Sequence, residues 1–158
     1  MPRIDYFSQQ PTMAKQYLAF SNAVTGDEDL KGLKELVTIR ASQLNGCAFC
    51  LDMHVKEAKI NGERDLRVHH IAIWHESPLF DERERAALEW TELLTRLPAG
   101  GVSDNDFERV RRHFSESQLA ALTFLIVAIN GWNRLGVAFK AEPGSLDKAY
   151  GLDKAGLE

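Results

Sequence analysis

Cysteine is scarce in this sequence, which has only Cys47 and Cys50 among its 158 residues. A chain of this length can bury most of its apolar surface without crosslinks, so its stability does not require them. Two cysteines are also too few for a secreted disulfide scaffold. In a cytosolic protein, a C-x-x-C pair is more often redox-active or metal-binding than structural, which favours a chemical role for this pair.

Features of secreted, membrane and nucleic-acid-binding proteins are absent as well. The first ten residues contain no apolar core of the kind that a signal peptide needs, and the longest almost wholly apolar run, residues 119–129, is too short to cross a bilayer. The net charge of −4 and the pI near 5.7 exclude a generally cationic surface for nucleic acid. We therefore expect a cytoplasmic protein that binds neither nucleic acid nor membrane.

Strand patterns are missing too, whereas apolar residues recur at spacings of three and four throughout the chain. Helices are predicted to begin at Pro11 and near Asp29, and the second ends at Asn45-Gly46, where a left-handed C-cap forms easily. Three N-cap pairs mark later helix starts: Asp81 with Glu84, Ser103 with Asp106, and Ser115 with Gln118. The sequence predicts an all-α fold and a single domain over residues 1–158. The tail after about residue 143 is expected to be loose or to dock on a neighbouring subunit.

The predicted helix after Ser115 is apolar on almost every face as far as Phe139. Such a helix belongs at the centre of a bundle or between subunits, so we expect an oligomer. Polar or bulky residues interrupt it at Asn130, Trp132, Asn133 and Arg134. Buried polar side chains need hydrogen-bond partners, so we expect these residues to satisfy helix ends; a place in the wall of an active-site pocket is the alternative.

The helix predicted over residues 47–61 carries Cys47, Cys50 and His54 at spacings of three and four, so the three side chains project from one side. The Asn45-Gly46 break places both sulfurs in the first turn, where free N–H groups and the helix dipole favour an anion. The thiolate is the attacking form of cysteine, and an adjacent imidazole can take the thiol proton or stabilise the thiolate. This set of residues predicts a dithiol redox site.

Glu35, in the preceding predicted helix, is a candidate to orient the imidazole. In an antiparallel hairpin that turns at Asn45-Gly46, Glu35 lies about 15 Å from the turn and His54 about 10 Å beyond Cys47, at about 1.5 Å per residue. Side chains lean toward the N-terminus of their own helix, which separates the two groups further. We therefore expect a bridging water rather than direct contact between Glu35 and His54.

Two other functions fit the same residues. Zinc could be bound by Cys47, Cys50 and His54 with Glu35 or a distant histidine as fourth ligand, although paired C-x-x-C units are missing. The thiols could instead sense oxidation, or exchange disulfides, in a subunit that has no sustained peroxidase turnover. Taken alone, His54 is more often a core histidine and Glu35 an exposed helix charge, so the prediction depends on the whole set.

The pattern E-x11-C-x2-C-x3-H, formed by Glu35, Cys47, Cys50 and His54, resembles the signature of the AhpD-like alkylhydroperoxidases in the carboxymuconolactone decarboxylase superfamily. The runs LVTIRASQLNGCAFCLDMHVKEAKINGE and AINGWNRLGVAF are similar to members of that family, so the resemblance extends from about residue 10 to about residue 145. The decarboxylase branch generally lacks the cysteine pair, which argues against a lactone decarboxylase.

The resemblance implies an all-helical bundle with a helical hairpin that carries the C-x-x-C site, assembled as an obligate homo-trimer or homo-hexamer. It implies a peroxidase cycle in which Cys50 is the peroxidatic cysteine, Cys47 resolves it, His54 relays the proton and Glu35 orients the relay. The substrate is then a hydroperoxide, and no cofactor is bound, because an external dithiol such as a lipoyl- or thioredoxin-type protein supplies electrons. Some members have a histidine just before the second cysteine. Phe49 occupies that position here, which predicts weaker activity or a preference for apolar hydroperoxides.

Overall fold

The computed structural model describes residues 2–157, and helices form all of the regular secondary structure in that range. The α-helices are α1 (Tyr6–Gln9), α2 (Pro11–Thr25), α3 (Lys34–Asn45), α4 (Ala48–Ile60), α5 (Asp65–His70), α6 (Glu82–Thr95), α7 (Asp104–Arg111), α8 (Glu116–Phe139) and α9 (Asp147–Tyr150). Short 3-10 helices are Glu28–Leu30, Ile71–Ile73 and Leu152–Ala155. The predicted all-α fold is confirmed.

Local capping groups set several of the helix ends. α6 begins with a capping box in which the Asp81 carboxylate accepts the backbone N–H of Glu84 at 2.8 Å. α8 begins in the same way, with the Ser115 hydroxyl accepting the backbone N–H of Gln118 at 3.1 Å. α3 ends at Gly46, whose φ of 65° is the left-handed C-cap that the sequence predicts. These predicted helix ends are confirmed. The sequence could predict them because each depends on residues within one turn of the boundary.

The second predicted helix is shorter than expected. The residues near Asp29 form the separate 3-10 helix Glu28–Leu30, and α3 begins only at Lys34. Gly32 lies between the two with a φ of 80°. A left-handed residue cannot continue a right-handed helix, so the predicted start near Asp29 is wrong.

α8 is the central helix and packs against α2, α3 and α6. Its buried residues Leu122, Leu125 and Ile126 share one core cluster with Val37 of α3 and Trp90 of α6. By length and composition alone, α8 is apolar enough to cross a membrane. The bundle buries 44% of its most apolar stretch, so packing at the centre of the bundle explains part of its apolar composition.

The polar residues of α8 connect it to the helices on either side. The Asn45 amide, at the end of α3, donates to the side-chain oxygens of Asn130 and Asn133 at 3.0 and 2.9 Å. The Asn133 amide in turn donates to Ser42 at 3.1 Å, and that of Asn130 donates to Thr95 of α6 at 2.9 Å. These amides therefore hold the C-terminal end of α3 against α8 through bonds between side chains, not by capping backbone groups at a helix end.

The C-terminal tail packs on α4 of its own chain. Lys56 of α4 forms ion pairs with Asp147 at 2.6 Å and with Asp52 at 2.9 Å, and Leu152 and Ala155 are buried. The hydrogen bond to Asp147, followed by the one to Asp52, raises the pKa of Lys56 above its ordinary value. The tail was expected to be loose or to dock on a neighbouring subunit. In the structure it packs on α4 of its own chain.

Candidate active site

The two cysteines lie at the start of α4, directly after the turn at Gly46. Cys47 is the N-cap residue, and its Sγ accepts the backbone N–H of Cys50 at 3.3 Å. Cys50 is the third residue of α4, and the two sulfurs are joined in a disulfide. The residues are only 2% and 4% exposed. Once the disulfide is reduced, free N–H groups and the helix dipole at this end favour a thiolate.

α8 packs directly on the disulfide at Gly136. A Cβ atom at this position would lie 2.8 Å from Cys47 Sγ and 3.2 Å from Cys50 Sγ. The first of these distances is shorter than a van der Waals contact allows, so the close approach of α8 depends on a residue without a side chain. The inner side of the disulfide is therefore closed by the core.

A cavity of about 160 Å³ borders Cys50. Much of its wall is aromatic, formed by Tyr6, Phe7, Phe49, Trp132 and Tyr150. The charged or titratable groups at the wall besides the tyrosines and Cys50 are Lys34, His54 and Glu57. Within residues 2–157, Cys50 is the only cysteine at this wall, although both sulfurs lie close to Gly136 on the inner side. One sulfur, one imidazole and an apolar surface thus share the same small space.

His54 lies one helical turn beyond Cys50 and is held by a carboxylate on its own helix. His54 Nδ1 is 2.8 Å from Glu57 Oε2, and Lys34 Nζ is 4.0 Å from the same oxygen. Burial raises the pKa of Glu57, but the hydrogen bond with His54 and the charges of His54 and Lys34 outweigh burial and leave this pKa below its ordinary value. Glu57 is therefore ionised at neutral pH.

Glu35 lies at the far end of the α3–α4 hairpin. Its Oε1 accepts a hydrogen bond at 2.8 Å from the side-chain amide of Asn61, the C-cap residue of α4. In an antiparallel hairpin the second residue of α3 lies level with the last turn of α4, and its side chain leans further from the connecting turn. The structure brings both cysteines and His54 together, but the direct partner of His54 is Glu57. The predicted role of Glu35 in the relay stays a prediction.

Sequence reasoning missed several contributors to this site, among them Glu57, Gly136, Tyr6 and Tyr150. Glu57 had a usable signal, because a residue three positions after His54 lies on the same helix face. Gly136 had one as well, since a glycine inside an apolar helix marks close packing or a functional contact. Tyr6 and Tyr150 lie in helices of only four residues, which are too short for a periodic pattern.

Zinc binding by the reduced form of this site stays a prediction. Within residues 2–157, no group of three or more His, Cys, Asp or Glu side chains is placed to hold a metal ion. In this structure the sulfurs of Cys47 and Cys50 are bonded to each other. This geometry is that of a dithiol/disulfide site.

Comparison with known proteins gives a consistent class. The profile of the carboxymuconolactone decarboxylase family matches residues 11–93. The uncharacterized protein YdfG of Bacillus subtilis is 36% identical over 136 residues, which are 86% of this chain and 92% of that protein. A protein of unknown function from Agrobacterium tumefaciens, provisionally assigned to the antioxidant defence protein AhpD, is 38% identical with a TM-score of 0.86 over 90% of this chain and 98% of its own. The debrominase Bmp8 has the same fold at 20% identity, with a TM-score of 0.76 over 94% of this chain and 80% of its own.

The fold and the paired cysteines together define an AhpD-like helical protein with a C-x-x-C disulfide. The chain belongs to the carboxymuconolactone decarboxylase family. The family resemblance drawn from the spacing of the two cysteines, the histidine and the glutamate is confirmed.

Proposed function

We propose that the protein is a thiol-dependent peroxidase that reduces organic hydroperoxides through a dithiol/disulfide cycle of Cys47 and Cys50. The observation that carries this proposal is the position of Cys50 at the wall of the cavity that also holds His54, with Cys47 bonded to it from the core side. A cysteine so placed has space for a small reactant, a base beside it, and a second thiol that can remove its oxidised product.

In the first half of the cycle, the Cys50 thiol gives its proton to His54, and the thiolate attacks the terminal oxygen of R–O–OH. The S–O bond forms as the O–O bond breaks, and the sulfur is oxidised to a sulfenic acid. The alkoxide that leaves takes the proton from His54 and becomes an alcohol. The imidazole thus ends this step in the form in which it began.

In the second half, the Cys47 thiol condenses with the sulfenic acid of Cys50, which forms the disulfide and releases water. Reduction of the disulfide then takes two electrons and two protons from an external dithiol, which becomes a disulfide itself. We propose a lipoyl- or thioredoxin-type protein as this donor. The two thiols, the imidazole and the external dithiol supply all the groups that the cycle uses, so the proposed cycle requires no bound cofactor.

The cavity favours a compact, neutral hydroperoxide. Its volume is about 160 Å³, and aromatic side chains supply much of its wall. The opposite charges of Lys34 and Glu57 lie 4.0 Å apart and offset one another, so the wall offers no net charge to an anionic substrate. Phe49, at the position where some family members have histidine, adds to the apolar wall. We propose a small alkyl or aryl hydroperoxide rather than a charged lipid hydroperoxide.

The comparison proteins support redox chemistry on this fold and also indicate its range. The Agrobacterium tumefaciens protein, of unknown function, is provisionally assigned to antioxidant defence. Bmp8 is a debrominase, and a variant of it with one cysteine replaced by alanine forms a complex with 2,3,4-tribromopyrrole. At about 20% identity, the similarity to Bmp8 shows only a shared fold. Debromination is therefore tested as an alternative to peroxidase activity.

We propose that the protein acts in the cytoplasm as a homo-trimer or homo-hexamer. The neighbouring helices α2 and α8 expose large apolar side chains, with Met13 67%, Phe124 56% and Val127 52% accessible. Exposed apolar groups on adjacent elements are typical of a surface that contacts another subunit. Light scattering that detects only a species of 17.8 kDa would contradict this assembly.

A peroxidase assay with cumene hydroperoxide and a dithiol donor tests the proposed function in the parent protein and in Cys50→Ser and Cys47→Ser. We expect Cys50→Ser to lose turnover by about 10³-fold or more, because the nucleophile is absent. We expect Cys47→Ser to form a sulfenic acid once and then to lose sustained turnover. Undiminished turnover in either variant contradicts the assignment.

Two other outcomes would identify a different function. Stoichiometric disulfide formation without turnover under any dithiol would identify an oxidation sensor. Release of bromide from a bromopyrrole without peroxidase turnover would identify a debrominase.

A further inference from the structure

We propose that Glu57 is the positioning residue of the proton relay: its carboxylate fixes the His54 imidazole so that Nε2 exchanges a proton with Cys50. This assigns to Glu57 the role that the sequence pattern assigns to Glu35. The inference rests on the proposed peroxidase function, but the contact at its centre can be measured without turnover.

The geometry of the pair determines which nitrogen carries the proton. Glu57 Oε2 lies 2.8 Å from His54 Nδ1, and the two residues are three positions apart on α4. An ionised carboxylate only accepts hydrogen bonds, so Nδ1 must be the donor and the neutral ring carries its lone pair on Nε2. A pair within a single helix also needs no other element to keep its register. Glu57 therefore leaves Nε2 as the base available at the cavity.

The charges around the cavity agree with this role. Among the residues at the wall that the structure describes, Glu57 is the single acidic side chain, and Lys34 of α3 is the nearest cation at 4.0 Å. The other titratable groups at the wall, apart from Cys50, are Tyr6 of α1 and Tyr150 of α9. Burial, and then the proximity of Tyr150 and Asp5, raises the pKa of Tyr6, so it stays neutral near pH 7. An imidazolium formed at His54 therefore has one negative partner, the carboxylate already bonded to it.

Glu35 is engaged elsewhere. Its carboxylate accepts the amide of Asn61 at 2.8 Å and does not border the cavity as the structure describes it. Movement of Glu35 to His54 would break this bond. Glu35 is thus suited to joining the far ends of α3 and α4.

In the relay, Glu57 acts on the charged form of His54. When the Cys50 proton moves to Nε2, the ring becomes a cation whose Nδ1–H still points at the carboxylate. The pair stabilises this cation and keeps the ring in one orientation, as carboxylates behind functional histidines do in metal sites. Loss of such a partner costs about 10- to 100-fold in those sites, which sets the size of the effect expected here.

The first experiment measures the rate of Cys50 oxidation by cumene hydroperoxide in the reduced full-length protein. We expect a loss of about 10-fold in Glu57→Gln, which keeps an acceptor but no charge, and of up to about 100-fold in Glu57→Ala. The acid limb of the rate profile of both variants should move to lower pH, because loss of the carboxylate destabilises the imidazolium relative to the neutral base, and the rate of disulfide reduction by dithiol should stay within about twofold. A merely structural role would slow both half-reactions together and would not produce the graded order of the two variants.

Two further variants complete this experiment. Glu35→Gln tests the competing assignment of Glu35 as the positioning residue. A loss in the rate of Cys50 oxidation equal to or larger than that of Glu57→Gln would overturn the proposal. Glu116→Gln controls for the removal of one negative charge, because its side chain is 86% exposed and contacts only Arg111 among the ion pairs described. Equal pH profiles in the parent and in Glu57→Ala would also overturn the proposal.

The second experiment uses the oxidised protein and needs no peroxidase activity. The ¹⁵N chemical shifts of His54, assigned with His54→Gln, report which ring nitrogen is protonated at a pH where the ring is neutral. We expect the proton on Nδ1 in the parent and in Glu35→Gln, and a mixture of tautomers in Glu57→Ala. An unchanged tautomer in Glu57→Ala overturns the assignment of Glu57. If the parent protein shows no peroxidase turnover while the tautomer changes as expected, the proposed function fails and the His54–Glu57 contact stands.

Discussion

The two sides of the disulfide are built very differently. On the inner side, Cys47 is 2% exposed and Gly136 of α8 packs against its sulfur, with the fully buried amide of Asn133 one turn before it. On the outer side, Cys50 borders a cavity whose wall includes Tyr150, which is 52% exposed. The inner side belongs to the core of α3, α4 and α8, whereas part of the outer side comes from the short terminal helices α1 and α9.

This difference separates the chemistry from the choice of reactant. The position of the sulfurs depends on close packing, which tolerates neither added volume nor unpaired polar groups. Part of the outer wall depends on aromatic side chains of the terminal helices α1 and α9, which can change with little effect on the core. We therefore expect inner-side substitutions to lower stability and outer-side substitutions to alter the response to different hydroperoxides.

The largest stability effect is expected at Asn133. Asn133→Ala removes a fully buried amide that accepts from Asn45 at 2.9 Å and donates to Ser42 at 3.1 Å. Loss of these bonds, together with the small void left behind, should lower the free energy of unfolding by about 2 to 3 kcal/mol. Denaturant unfolding measures it, with Asn105→Ala on the exposed surface of α7 as the control. A change below about 0.5 kcal/mol would show that α3 and α8 do not depend on this contact.

A smaller loss is expected at Gly136. The Cβ of Gly136→Ala would lie 2.8 Å from Cys47 Sγ, so helix and disulfide must move apart. Overpacking costs about 1 to 3 kcal/mol, and the better helix propensity of alanine returns up to about 1 kcal/mol, so we expect a net loss of about 1 to 2 kcal/mol.

Cys47→Ala removes the nearest atom of that contact, and the stability cost of Gly136→Ala should shrink in this background. Gly100→Ala is the matched control, since no atom lies within 4 Å of the Cβ that it adds. If Gly136→Ala costs the same with and without the Cys47 sulfur, its effect comes from the contact with Cys50 Sγ or from elsewhere on α8.

On the outer side, Tyr150→Ala should change selectivity more than stability. Loss of one aromatic contact is worth about 0.5 to 1.5 kcal/mol, which corresponds to about 2- to 10-fold in kcat/KM for cumene hydroperoxide. Hydrogen peroxide is too small to contact this wall, so its kcat/KM should change less than about twofold. Lys148→Ala, on the same helix but not at the cavity wall, is the control. Equal losses for both peroxides would place Tyr150 outside the substrate path.

Features of the structure could be predicted from the sequence when the residues that form them are close together in the chain. Helix caps such as Ser115 and the left-handed Gly46 were predicted because their partners lie within one turn. The grouping of Cys47, Cys50 and His54 was predicted because all three are on one helix face or at its cap. The docking of the tail through Lys56 and Asp147 was not, since these residues are 91 positions apart and only the tertiary fold brings them together.

The carboxylate that contacts His54 shows what residue spacing in the sequence cannot predict by itself. Glu57 is three residues after His54 in the sequence, and Glu35 was estimated to lie about one helical turn from His54 in depth along the hairpin. That estimate already predicted that Glu35 does not contact the imidazole directly. In the structure Glu57 contacts His54 and Glu35 accepts the amide of Asn61, and the lean of side chains along each helix agrees with this arrangement. The i, i+3 spacing favoured Glu57, whereas the contact between Glu35 and Asn61 joins two helices and has no local sequence signature.

The smallest effect is expected in the pH dependence of stability at Glu57. Its folded pKa lies below its ordinary value of 4.5, so its contribution is present above the pKa of the unfolded state and is lost as pH falls through the folded pKa. The gap in unfolding free energy between the parent and Glu57→Gln should thus be about 1 kcal/mol or less at pH 6, and should close as the pH falls below about 4. The gap for the exposed Glu116→Gln should be smaller at pH 6. A Glu57 gap that widens toward acid would reverse the sign of the His54–Glu57 interaction and would remove the electrostatic basis for holding the imidazole beside Cys50.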